Sequence, residues 1–122
     1  MKLYNYTFED CYKQFLNQQF ERLKKELIFY ETKGIKTKII LWFDDLLPHI
    51  KSDKFLNDKV VIFNYDNKNI YTIKELQDNY PEMLIVSDPY FTDKKFNDAH
   101  PSKLCHEIIA KGIINSIENG NS

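Results

Sequence analysis

Glycine is scarce in this chain: 3 in 122 residues, at positions 34, 112 and 120. None stands at a strand-to-helix turn, so no glycine-built cradle of backbone N–H groups is available to hold an oxyanion. An excess of either charge is also missing. The 17 basic and 18 acidic side chains leave a formal net charge of -1, which makes no field that would gather phosphates or anionic lipid, and nucleic acid and membrane surfaces are not expected partners. Long hydrophobic runs are absent too. Ile39 to Phe43 is among the longest, far short of the roughly 20 residues a bilayer crossing needs. The N-terminus, "MKLYNYTFED", lacks an apolar stretch and reaches acidic residues by position 10, so it does not read as a secretory signal, and a soluble cytoplasmic protein is expected. Cysteine is limited to Cys11 and Cys105. Both sit in helical apolar patterns, where a reduced thiol acts as a small buried hydrophobe.

Aromatic residues, by contrast, are plentiful: 9 Phe, 8 Tyr and 1 Trp. They fall mostly within apolar patterns, where filling a core explains them better than stacking on bases. A chain of this length buries roughly two thirds of its unfolded surface, enough for one core without disulfides or a structural metal.

Thr7 followed by Asp10 resembles a helix start. Phe8, Tyr12, Phe15, Leu16, Phe20, Leu23, Leu27 and Tyr30 then recur at mostly three- or four-residue steps until Gly34, predicting a long amphipathic helix closed by a glycine. "TKIILWF" (37–43), "DKVVIFNY" (58–65) and "EMLIVSD" (82–88) are apolar and rich in β-branched or aromatic residues, as suits strands covered on both faces in a parallel sheet. A second helix is placed within 44–57. An Asx-rich turn, a Thr72-to-Glu75 capping box and a stop at Pro81 predict another short helix. The alternative for this stretch is a hairpin, with Ile70 to Ile73 pairing back on Val60 to Phe63. Pro101 or Ser102 opens the last helix, which turns Leu104, Cys105, Ile108, Ile109, Ile113 and Ile117 toward the core before a polar tail.

Alternating elements of these lengths predict one α/β domain over residues 1–122, a three-layer α/β/α sandwich around a small, mostly parallel sheet of flavodoxin-like type. Ligands in such sheets sit beyond the carboxyl ends of the strands. Asp44, Asp45, Asn64, Asp66, Ser87 and Asp88 gather at that edge, and the loop from Pro89 to Pro101 adds Asp98 and His100. His100 is the leading candidate for chemistry. An imidazole moves protons near neutral pH, a neighbouring carboxylate fixes its tautomer, and Pro101 stiffens the corner that carries it.

The segment "DAHPSKLCHEIIAKGIINSI" resembles the last motif block of the SGNH or GDSL-like hydrolases, an Asp-x-x-His-Pro stretch leading into a helix. The first helix running into "GIKTKIILWF" is similar to the helix and strand that follow the Gly-x-Asn-Asp block in that superfamily. The resemblance implies hydrolysis of an ester or acetyl group, on a small-molecule or carbohydrate substrate, through a covalent acyl intermediate. His100 would be the general base and Asp98 its orienting carboxylate. The chain departs from the pattern in two places. Position 97 is Asn97, with Asp98 only two residues before His100, and no Gly-Asp-Ser nucleophile motif precedes a helix. The expectation is therefore the C-terminal portion of a longer SGNH-like fold, or a degenerate relative, inactive as this chain alone.

No cofactor is expected. Asp44, Asp45, Asp88, Asp98, His100 and His106 include suitable metal ligands, but no tight spacing supports a metal site. Ser87 reads as the end of a strand entering a turn rather than as a nucleophile. His106 is taken as a surface or packing residue, and His49 has no sequence partner. The rival class is a non-catalytic module that binds a partner or small polar ligand at the strand-end edge. A small open sheet also leaves edges that a homo-oligomer would cover.

Overall fold

A computed structural model of the chain describes residues 7–85 and 100–119. The chain divides into two units, Met1–Thr37 and Lys38–Ser122. The first unit contains helix α1, Phe8–Thr32. Its start follows the sequence signal: the Thr7 hydroxyl accepts from the Asp10 N–H, while the Asp10 carboxylate accepts from the Thr7 N–H, a complete capping box. Its end does so as well. Gly34 adopts φ +80°, the Gly34 N–H reaches the Glu31 carbonyl, and the Ile35 N–H reaches the Tyr30 carbonyl, a Schellman closure that a side chain would strain. Leu16 is the one buried residue of α1. Phe8, Tyr12, Phe15 and Tyr30, all assigned to a core face by their spacing, are exposed.

The second unit is where the expected architecture fails. Helical residues make up 64% of the described chain, and the sheet is a two-stranded antiparallel hairpin. The three-layer α/β/α sandwich around a mostly parallel sheet is not formed. Strand β1 (Phe63–Tyr65) pairs with β2 (Lys68–Ile70), with Phe63 opposite Ile70, Asn64 opposite Asn69 and Tyr65 opposite Lys68. This realises the hairpin alternative in a shorter register, sharing only the Phe63–Ile70 pair with the anticipated ranges. Its turn explains why. Asp66 and Asn67 both take positive φ, 54° and 59°, the two-residue geometry that Asp and Asn tolerate and that matches strand twist. A parallel return would need a crossover of a dozen or more residues, whereas this turn closes locally.

The segment expected as the first parallel strand contributes single pairings. Ile39 pairs in parallel with Val60, and Leu41 in parallel with Thr72. The Ile39 N–H donates to the Lys59 carbonyl at 2.8 Å, and the Lys74 N–H donates to the Trp42 carbonyl at 2.8 Å. One short extended segment thus pairs with the residues that flank the hairpin, Val60 before β1 and Thr72 after β2. Between it and the hairpin lie a 3-10 turn (Asp44–Leu46) and two short helices, α2 (Leu47–Lys51) and α3 (Lys54–Asn57). These occupy the region allotted to a second helix and bury Ile50 and Leu56.

Helix α4 (Ile73–Asn79) follows β2, with the Thr72 hydroxyl accepting from the Glu75 N–H at 3.1 Å. The same hydroxyl donates to the Asp44 carboxylate. A 3-10 turn (Pro81–Met83) comes next, then Leu84, which pairs antiparallel with Pro101. Helix α5 (Lys103–Glu118) is capped by Ser102, whose hydroxyl accepts from the Cys105 N–H. The core joins Val61, Phe63, Ile70, Ile73, Leu76, Met83, Cys105 and Ile108. Leu104, Ile109 and Ile113 pack against it, but Ile117 is exposed rather than turned inward. Gly112 lets α5 lie close on β1: a Cβ there would stand 2.8 Å from Phe63 Cδ1.

Candidate functional site

The parallel sheet whose strand ends were expected to gather the chemical residues is not formed. Asp98, Ser87 and Asp88 lie outside the described residues. His100 is exposed, and its backbone is pinned: its carbonyl accepts from the Ile85 N–H at 3.2 Å. Asp44 is tied to Thr72, a structural bond that joins the extended segment to the start of α4. Cys11 is exposed, against expectation, whereas Cys105 is fully buried, and burial pushes its thiol pKa up. His49 and His106 are exposed on α2 and α5. Among the described residues, no three His, Cys, Asp or Glu side chains come together as a metal site, and no helix is long and apolar enough to cross a membrane.

A different group converges at the hairpin tip. Tyr65 ends β1 and Asp66 begins the turn. Tyr80 terminates α4 in an extended conformation, and Pro81, which cannot continue the helix, diverts the chain so that Glu82 follows in the 3-10 turn. That turn is held from α5: the Ser102 hydroxyl donates to the Glu82 carbonyl at 2.7 Å, and the Ser102 N–H donates to the Met83 carbonyl at 2.9 Å. The Tyr65 and Tyr80 rings meet edge to face, centroids 4.8 Å apart and planes at 86°, an arrangement that brings a positive ring edge to a negative ring face.

Each phenol is committed to a carboxylate. The Tyr65 hydroxyl donates to Glu82 Oε1 at 3.0 Å, and the Tyr80 hydroxyl donates to Asp66 Oδ2 at 3.1 Å. The bond to Glu82 is the main reason the Tyr65 pKa is raised above the ordinary phenol value; desolvation and the charges of Glu82 and Asp66 add to it. Tyr65 therefore stays a neutral donor across the physiological range. These four side chains line an open cleft of about 400 Å³. A neighbouring hollow of about 310 Å³ shares Asp66 and Tyr80 and adds Lys68, Ile70, Glu75 and Asn79.

Such a cleft brings two tyrosines and two carboxylate acceptors to one place. Asp66 is visible in the sequence as a polar residue at the end of an apolar run. Tyr65 and Tyr80 are not, because aromatics inside apolar patterns read as core, and Glu82 has no partner nearby in sequence. A subtle signal was available: both are Tyr rather than Phe, one beside an Asp-Asn turn and one beside a proline, where a hydroxyl reaches the surface. No family model, no curated protein and no solved structure matches the chain.

Proposed function

We propose that this chain is a recognition module whose ligand site is the cleft between the hairpin tip and the end of α4. One observation carries the reading: an edge-to-face tyrosine pair, each hydroxyl committed to its own carboxylate, lines an open 400 Å³ cleft. Tyrosines held in this way keep their rings in place before a ligand arrives, so little ordering entropy is lost on binding. Screening a panel of small anionic, cationic and neutral fragments by amide NMR tests it. Hits are expected to shift residues 65–68 and 79–82, and hits confined to other surfaces would overturn it.

A second reading keeps ester hydrolysis, with His100 as general base and Asp98 as its partner. The pinned backbone around residues 100–102 supports it, since a fixed imidazole is what general-base catalysis needs. Hydrolysis of p-nitrophenyl acetate that falls on His100→Ala substitution is the expected result there. Equal rates in the two proteins would remove His100 from any mechanism. A cytoplasmic location belongs with either reading, and the free thiols of Cys11 and Cys105 suit a reducing compartment.

A further inference from the structure

We infer that the group held in the Tyr65–Tyr80 cleft is a guanidinium, the cationic head of an arginine side chain. The inference rests on the recognition reading above and names its ligand. Charge comes first. Asp66 and Glu82 put two carboxylates on the rim of the cleft, with Glu75 and Lys68 in the adjoining hollow, so the described surroundings are net negative. The end of α4 adds to this, because Tyr80 is its C-terminal cap and terminal carbonyls carry partial negative charge.

The rings contribute a second attraction. A phenol that donates its proton to a carboxylate becomes richer in electrons, and an electron-rich ring face attracts cations more strongly. This chain already uses that attraction with its own lysines: Lys51 stands 4.4 Å from the Tyr71 ring centroid, and Lys33 stands 4.9 Å from that of Phe29. Among the described residues, no lysine or arginine stands over Tyr65 or Tyr80. Among those residues, the pair's ring faces are not yet used for a cation.

Geometry then chooses between cations. Each carboxylate spends one oxygen on a tyrosine, Oε1 of Glu82 and Oδ2 of Asp66, which leaves Oε2 and Oδ1 as acceptors for hydrogen bonds. A quaternary ammonium has no proton to donate to them. A guanidinium is flat enough to stack on a ring and carries five N–H donors in its plane, so it satisfies ring and carboxylates together. A lysine ammonium meets the carboxylates but is a compact, strongly hydrated charge that loses more on leaving water.

The test compares N-acetyl-arginine amide with N-acetyl-citrulline amide, its neutral isostere, by NMR titration of the full chain. Arginine is expected to shift residues 65, 66, 80 and 82 with an affinity roughly tenfold or more above citrulline, about the effect of two exposed charge pairs and a cation–π contact combined. The double variant Asp66→Asn and Glu82→Gln keeps the turn and the tyrosine acceptors while removing both charges. It is expected to lose the arginine preference, so that arginine binds no better than citrulline. Free L-arginine and a capped Gly-Arg-Gly peptide distinguish the source: a tighter peptide points to an arginine on a partner protein, and equal or tighter binding of the free amino acid to a small metabolite. Citrulline binding the cleft as well as arginine would overturn the guanidinium assignment while leaving the recognition site standing. If neither compound nor any fragment of the earlier panel shifts these residues, both readings fall.

Discussion

Helices α1 and α5 are written in similar apolar spacing and meet opposite fates. The 25-residue α1 buries Leu16 alone, whereas the 16-residue α5 buries Cys105, Ile108 and Gly112. What separates them is not propensity. Helix α1 has a full capping box, a Schellman closure and exposed ion pairs such as Glu9 with Lys13, each worth from a few tenths to about 1 kcal/mol. Helix α5 has β1 beside it, and Gly112 lets the two backbones approach. Periodicity selects the face a helix presents; burial of that face depends on an element elsewhere in the chain. Local signals secure α1, and packing secures α5.

That contrast is easiest to break by truncating one phenylalanine on each side of it. Phe63, fully buried, is expected to cost about 3–5 kcal/mol on Phe63→Ala. Phe15, 55% exposed, should cost no more than about 0.5 kcal/mol on Phe15→Ala. Urea unfolding measures both, and similar losses would show that α1 is packed as tightly as the core.

Gly112→Ala comes next in size. Alanine gains about 1 kcal/mol over glycine in a helix interior. The added Cβ would, however, press on Phe63 Cδ1 at 2.8 Å, Val61 Cγ1 at 3.2 Å and the Ile62 carbonyl at 3.3 Å, and overpacking costs about 1–3 kcal/mol. A net loss of about 1–2 kcal/mol is expected. A rise in the thermal midpoint would mean that α5 does not lie this close to β1.

The smallest perturbation needs no mutation. Cys11 on α1 is exposed, while Cys105 on α5 is buried with its pKa pushed up, so it remains a protonated thiol at neutral pH. A thiol reagent should label Cys11 promptly and Cys105 at least roughly tenfold more slowly, at a rate that follows unfolding. Equal rates would place both thiols in the same environment and remove the distinction.

The helix boundaries were legible because their signals are local. Thr7, Gly34, Thr72 and Pro81 each act within a few residues of themselves, and Ser102 was named as one of two starts for the last helix. The sheet was not legible. The apolar runs at 37–43 and 58–65 read as buried strands, yet strand character says nothing of which strand lies alongside, and the Asp66-Asn67 turn directed the pairing into a hairpin. The site was hidden for a related reason. His100 drew attention through its neighbours in sequence, while Tyr65 and Glu82 are 17 residues apart and Tyr80 and Asp66 are 14 apart.

The sequence alone determined where helices start and stop, which faces are apolar, the tight turn at Asp66-Asn67 and the balance of charge. Tertiary structure decided that the extended segment would pair on either side of the hairpin, at Val60 and Thr72, that α5 would cover β1, and that two tyrosines would find two carboxylates. The physical reason is range. Capping and turn chemistry are settled by hydrogen bonds within a few residues, whereas pairing and cleft formation depend on the summed burial of segments far apart in the chain, a sum that no local pattern contains.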